Sequence, residues 1–240
     1  TTAAAAASVS VSPGIQIDGT TSEGVDRYLG LPYATSDRFE SPVAVEITNS
    51  INATRYGAKC IQPTYGVNGT SSVLGEEDCL FLNVYAPSFS SSFSLLPVFV
   101  WIHGGGFSVG SGGDGYRGAA MISEEQEVVV VTLNYRLGPF GFLGGNMGLL
   151  DQRAALRWVQ RNIRLFGGDP DRVTLAGQSA GGSSVAFQVA TSSSSSLSSA
   201  TSNETLFHRV VAMSMFYAVT PLPEARRTVD QLLRRLGCDD

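Results

Sequence analysis

Residues 177–181 read Gly177-Gln178-Ser179-Ala180-Gly181. In a G-x-S-x-G pattern the serine sits on a sharp turn between a strand and a helix, where its hydroxyl stands clear of the backbone and can attack a carbonyl carbon. The chemistry served is acyl transfer through a covalent intermediate. The pattern alone is weak: with 27 Gly and 29 Ser in 240 residues, roughly 0.4 copies arise by chance. A second copy does occur, Gly106-Phe107-Ser108-Val109-Gly110. Flanking segments separate the two. The apolar run 173–176 leads straight into Gly177, and 182–190 continues as a helix, whereas the other copy lies in a glycine-rich loop running on to Gly118. Ser179 is therefore assigned as the nucleophile and Ser108 as a loop residue. Acyl transfer also needs donors for the oxyanion that develops on the substrate carbonyl. The glycines after His103 bring backbone N–H groups to the carboxyl end of a predicted strand, the edge where ligands gather in such sheets. The amide of Ala180, at the start of a helix, adds a further donor.

These groups need a scaffold that sets 103–106 beside 177–180. The runs 98–102, 128–133, 173–176 and 209–212 are apolar without alternation, the pattern of strands buried on both faces. From 148 to 166 the period changes: Leu149, Leu150, Ala154, Trp158, Val159, Ile163 and Phe166 recur at spacings of three and four, and Gly167-Gly168 supplies a stop. Strand, helix, strand in that order predicts an α/β fold with a mostly parallel central sheet and helices on both faces. The first 95 residues alternate more and are rich in turns, which suits antiparallel strands. Residues 1–8 read as a disordered leader or a signal-peptide remnant, 9–240 as part of one domain, and the serine run 192–199 as a flexible surface loop.

Composition narrows the partners. A net charge of −5, with Lys59 the only lysine, excludes the basic face that nucleic acid requires. The longest apolar stretches, 95–102 and 128–133, are far short of the ~18 residues of a membrane span. Two His and three Cys, none in ligand spacing, predict no metal, and no cofactor is expected. Asn52, Asn68 and Asn203 begin N-x-T triplets, which lean towards a secreted glycoprotein.

Six motifs taken together resemble the type B carboxylesterase/lipase family in order and spacing. They are Glu77-Asp-Cys-Leu-Phe-Leu-Asn-Val-Tyr85, Trp101-Ile-His-Gly-Gly-Gly-Phe107, Asn134-Tyr-Arg-Leu-Gly138, Gly148-Leu-Leu-Asp-Gln152, Phe166-Gly-Gly-Asp-Pro170 and Val173-Thr-Leu-Ala-Gly-Gln-Ser-Ala-Gly-Gly182. The resemblance runs from about Val9 to Asp240. It implies an α/β-hydrolase fold, incomplete on its C-terminal side, and hydrolysis of small-molecule or lipid esters through an acyl-enzyme on Ser179. It further implies Gly105, Gly106 and Ala180 as oxyanion donors, a Cys60–Cys79 disulfide with an oxidising, extracytoplasmic setting, and structural ion pairs of Arg38 with Glu77 and Arg136 with Asp169. Three departures stand out. Gln178 replaces the family's usual Glu, no Trp lies between Cys60 and Cys79 as it would in a cholinesterase, and Met213-Ser-Met-Phe-Tyr217 replaces a Gln-Ser-Gly turn beside the acyl pocket.

A serine needs an imidazole to take its proton and an acid to orient that ring. His208 precedes the run 209–212, which puts it at the amino end of the sheet, opposite Ser179. His103 is at the right edge but resembles the family position that supports the oxyanion loop. The fold's order is nucleophile, acid, histidine, and beyond Ser179 the acids Glu204, Glu224, Asp230, Asp239 and Asp240 fall in no recognisable motif. Cys238 is left without a partner. The expectation is a chain that ends before its acid and base and is inactive alone. Two other readings stay open: a non-catalytic adhesion or binding protein on the same scaffold, and a split product without a stable fold.

Overall fold

The computed structural model describes residues 5–65, 71–88, 94–113, 118–143, 145–192, 204–216 and 219–238. Eight strands form the main sheet: β1 (Ala5–Ser12), β2 (Ile15–Ser22), β3 (Val25–Pro32), β4 (Phe81–Pro87), β5 (Leu96–Ile102), β6 (Val129–Leu133), β7 (Gly168–Gln178) and β8 (Arg209–Met213). Their order is β1-β2-β3-β4-β6-β5-β7-β8, and Ile51–Asn52 adds a short parallel strand to β2. The helices are α1 (Gly118–Gln126), α2 (Gly138–Phe142), α3 (Met147–Asn162), α4 (Ala180–Ser192) and α5 (Leu222–Leu236).

The antiparallel part is the expected turn-rich amino-terminal one. Glu23 and Gly24 both have positive φ, 53° and 71°, so a two-residue turn matching the strand twist joins β2 to β3. β4 is antiparallel to β3 and β6, and from there β6, β5, β7 and β8 run parallel. Alternation across the sheet decides the layering. Val130 joins Ala119 and Ala120 of α1 on one face, while Val129 and Val131 join Leu156 and Trp158 of α3 and Val185 of α4 on the other. Helices thus cover both faces. The predicted helix to Phe166 is α3 followed by a 3-10 turn at Ile163–Phe166, stopped by Gly167 at φ 77°.

Four expectations are corrected. β1 starts at Ala5, so residues 5–8 are strand and not disordered: Ala7 is buried and the backbone pairs with β2 from Ala5↔Thr21. β6 is buried along its whole length, but β5 alternates between buried and half-buried, with Phe99 and Trp101 stacked on the less covered face. β8 is exposed at all five residues: among the described residues it is the edge strand, paired with β7 alone, and little packs over its faces. Arg136 pairs with Asp151, not with Asp169. Asp151 lies in the early turns of α3 directly under the guanidinium, with Nε–Oδ2 at 2.8 Å and Nη2–Oδ1 at 2.7 Å, whereas Asp169 is taken by Arg172 three residues along the same strand.

Arg38 and Glu77 do pair, and Cys60 and Cys79 are joined by a disulfide. That crosslink closes a separation of 19 residues and adds about 3 kcal/mol in the chain-entropy account. Cys238 is an exposed free thiol following α5. Asn68, Asn203 and the serine run beyond Ser192 lie outside the described residues. Among the described residues no helix is long and apolar enough to cross a membrane, and no His, Cys, Asp and Glu group of three could hold a metal ion.

Candidate active site

β7 ends at Gln178 and α4 begins at Ala180, so Ser179 is the single residue in which the chain reverses from strand to helix. It does so at φ 57°, a left-handed conformation that a non-glycine residue holds only under strong surrounding constraint. Gly177 and Gly181 supply that constraint. A Cβ on Gly177 would lie 2.4 Å from the carbonyl carbon of Gly181, and one on Gly181 would lie 2.1 Å from the carbonyl oxygen of Ile102. The glycines of the motif let helix, turn and neighbouring strand touch main chain to main chain. The Ser179 N–H donates to Met213 O at 2.9 Å, and Ser183 N–H donates to Ser179 O at 2.9 Å, tying the turn to β8 and to the first turn of α4.

Register then brings the glycine loop across. Ile102 pairs with Gly177, so the residues after β5 emerge beside Ser179. A Cβ on Gly104 would sit 3.2 Å from Ser179 Cβ and 2.7 Å from Gln178 O. Gly105 and Gly106, both exposed, have φ of 109° and 62°, and among the described residues neither amide donates to a backbone carbonyl. Their N–H groups are unspent, as is that of Ala180, which as first residue of α4 has no intrahelical acceptor. The structure therefore sets the start of the glycine loop, at Gly104, beside Ser179, with Gly105 and Gly106 following directly in the chain and Ala180 next after the serine. Ser108 lies in the turn beyond, exposed, its hydroxyl donating to Gly106 O at 3.2 Å.

Among the described residues neither histidine is hydrogen-bonded to Ser179. His208 N–H donates to Val173 O, and six residues of extended strand, about 20 Å, separate Val173 from Ser179. His103 is fully buried: its Nδ1–H donates to Gly104 O at 2.8 Å, its ring stacks on Tyr135 with centroids 4.4 Å apart, and Tyr135 Oη donates to His103 O at 3.0 Å. Burial pushes its pKa down to about 4, so it is a neutral buttress. Glu204 is engaged at the surface with Arg157. Among the described residues no imidazole or carboxylate is hydrogen-bonded to the Ser179 hydroxyl.

Sequence reasoning missed several groups that shape the site. Asn83 and Asn134 hold both main-chain groups of Gly112 on the returning limb of the loop: Gly112 N–H donates to Asn134 Oδ1 at 2.8 Å, and Asn83 Nδ2 donates to Gly112 O at 2.9 Å. Phe107 packs edge-on against Phe142 at 5.1 Å and against Phe216 at 6.0 Å, while Phe216 N–H donates to Ser183 Oγ at 3.1 Å. The departing segment after β8 thus adds an aromatic side chain to the wall beside α4. Apolar residues in loops carry no periodic signal, which is why only their positions, not their meeting, could be read from the sequence.

The family described as "Carboxylesterase family" matches residues 6–240. Para-nitrobenzyl esterase of Bacillus subtilis (strain 168) is 46% identical over 191 residues, covering 73% of this chain and 39% of that protein. Bile salt-activated lipase of Mus musculus is 41% identical over 181 residues, covering 69% and 30%. A solved structure of PNB esterase superposes with a TM-score of 0.80 at 39% identity, over 96% of this chain and 48% of that one. The chain spans about half the length, or less, of these relatives. It has the α/β-hydrolase fold, and with this sequence match and this arrangement of strands it belongs to the carboxylesterase family.

Proposed function

We propose that this chain carries the nucleophile and oxyanion hole of a serine hydrolase of carboxylic esters. The observation that supports the proposal is the close approach of the glycine loop to the turn: a Cβ on Gly104 would lie 3.2 Å from Ser179 Cβ, and among the described residues the amides of Gly105 and Gly106, next in the chain, donate to no backbone carbonyl. Ser179 Oγ attacks the ester carbonyl carbon. The C–O bond forms, the carbonyl electrons move to oxygen, and that oxyanion is received by the N–H groups of Gly105, Gly106 and Ala180. Collapse expels the alcohol, which leaves with a proton, and water attacks the acyl-enzyme by the same steps in reverse order. The serine proton needs a base. Since among the described residues neither imidazole is hydrogen-bonded to Ser179, and His208 sits at the far end of β7, this reading takes the imidazole and its acid from outside these residues.

Two measurements test the proposal. In the full-length protein a fluorophosphonate reporter should label Ser179, and Ser179→Ala should abolish both labelling and hydrolysis of p-nitrophenyl acetate. The 240 residues alone should turn that ester over slowly, because only oxyanion and binding contributions remain, about 1,000- to 10,000-fold over water. Labelling that ignores Ser179→Ala would overturn the assignment. Fast, Ser179-dependent turnover by the 240 residues would overturn the external base.

Substrates in this reading are small-molecule or lipid esters, which the names of the relatives, para-nitrobenzyl esterase and bile salt-activated lipase, support. An oxidising, extracytoplasmic setting is supported by the disulfide and by Asn52, which is exposed at the head of its Asn52-Ala53-Thr54 triplet.

A further inference from the structure

Four of the eight residues from His103 to Gly110 are glycine, so little in the loop's own sequence fixes its shape. Its first turn closes on itself, with Ser108 N–H and Val109 N–H both donating to Gly105 O, at 3.1 and 3.0 Å. Its far end is held from outside. Gln62, a buried residue two positions beyond the disulfide cysteine Cys60, grips both main-chain groups of Gly110. Gly110 N–H donates to Gln62 Oε1 at 2.8 Å, and Gln62 Nε2 donates to Gly110 O at 2.8 Å and to Cys60 O at 2.9 Å. The orientation of the amide is fixed by chemistry, since turning it over would face its oxygen with two carbonyls and its NH2 with an N–H.

Gly110 has φ 119°, and its Cα presses on one particular bond. A Cβ there would lie 2.4 Å from His103 Nδ1 and 2.8 Å from Gly104 O, the donor and acceptor of the His103–Gly104 hydrogen bond. The imidazole is also stacked on the Tyr135 ring. In a trans peptide the carbonyl of one residue and the N–H of the next point in opposite directions. Holding Gly104 O on His103 therefore aims the Gly105 N–H the other way.

We propose that Gln62 is a positioning residue of the ester-hydrolase site: by clamping Gly110 against the His103–Gly104 hydrogen bond it fixes the direction of the oxyanion-hole amide of Gly105. The proposal rests on the assignment of Ser179 and Gly105. Gln62 touches no substrate. It connects the arm stapled by Cys60–Cys79 to the donors through Gly110 and His103.

The test compares Gln62→Ala, Gln62→Glu and Ser179→Ala. Gln62→Glu keeps the side-chain size and the acceptor for Gly110 N–H but turns its two donations into repulsions. In the full-length protein both Gln62 variants should lower kcat on p-nitrophenyl acetate about 10- to 100-fold, short of the loss of a whole donor, with KM within about twofold. In the 240-residue chain, amide hydrogen exchange across 103–110 should quicken at least about tenfold while β6 and α3 keep their protection. Parental kcat and unchanged loop exchange in Gln62→Ala, with Ser179→Ala inactive, would overturn the proposal and leave the nucleophile assignment standing. Exchange that quickens equally in β6 and α3 would also overturn it, by making Gln62 a support of the whole fold. If Ser179→Ala kept full activity the underlying assignment would fall, and the loop-exchange result would still decide whether Gln62 orders the loop.

Discussion

Gly181→Ala is the smallest change that separates the two arms of the site. The added methyl group would lie 2.1 Å from the carbonyl oxygen of Ile102 and 2.9 Å from that of His103. Carbon settles against a carbonyl oxygen at about 3.3 Å, so the closer contact is short by roughly 1.2 Å. Both obstacles are main chain at the end of β5, where rotamer changes give no relief, so β5 and α4 must part. β5 leads into Gly105 and Gly106 and α4 starts with Ala180, so their separation moves the proposed oxyanion donors away from one another. Overpacking of this kind costs about 1–3 kcal/mol. A misplacement near 1 Å lowers turnover about 100-fold. Urea titration followed by circular dichroism should show the stability loss, and in the full-length protein kcat on p-nitrophenyl acetate should fall about 100-fold with KM nearly constant. A Gly181→Ala variant within about 0.5 kcal/mol of the parent, with parental kcat, would refute main-chain contact between β5 and α4 as the device that gathers the donors.

His103 gives a pH signature. Folded His103 resists protonation until about pH 4 while the unfolded chain takes up the proton below about 6.5, so its contribution is present above 6.5 and is lost as pH falls through that window, by roughly 3 kcal/mol in all. Urea midpoints of the parent should therefore drop faster between pH 6.5 and 4 than those of His103→Gln, and parallel pH profiles would contradict the burial of a neutral ring. The Arg136–Asp151 pair is fully desolvated, with burial lifting the Asp151 carboxyl against the pull of Arg136. Asp151→Asn should cost about 3–5 kcal/mol by stranding the guanidinium, and Arg136→Met combined with Asp151→Leu should cost less than the two single changes added together. Strict additivity in a double-mutant cycle would contradict the pairing.

The parallel half of the sheet was legible because β6 and the inner part of β7 are continuous β-branched or apolar runs. The strand-to-helix turn at Ser179 was legible because strand, glycine, serine, glycine and helix follow one another without a break. Local pattern could not say which acid answers Arg136, since Asp151 and Asp169 are both downstream in quoted motifs and only the packing of α3 beneath Arg136 chooses between them. Nor could it reveal β8 as an exposed strand, because Val210 and Val211 spell the same apolar run whether one side of a strand is paired or both. Gln62 and Asn83 were illegible for a different reason: a single amide that hydrogen-bonds a glycine 29 or 48 positions away leaves no periodic trace.

The exposed strand at the sheet's end has a consequence for the molecule in bulk. Among the described residues nothing pairs with the outer edge of β8, and its sequence, Arg209–Met213, holds neither lysine nor proline, the residues that commonly blunt such an edge. Val210, Val211 and Met213 stand exposed along it, with Met215 and Phe216 just beyond. A second molecule can add a strand there through main-chain hydrogen bonds alone, with no recognition of side chains. An uncovered apolar edge of this kind is a predicted site of association between molecules.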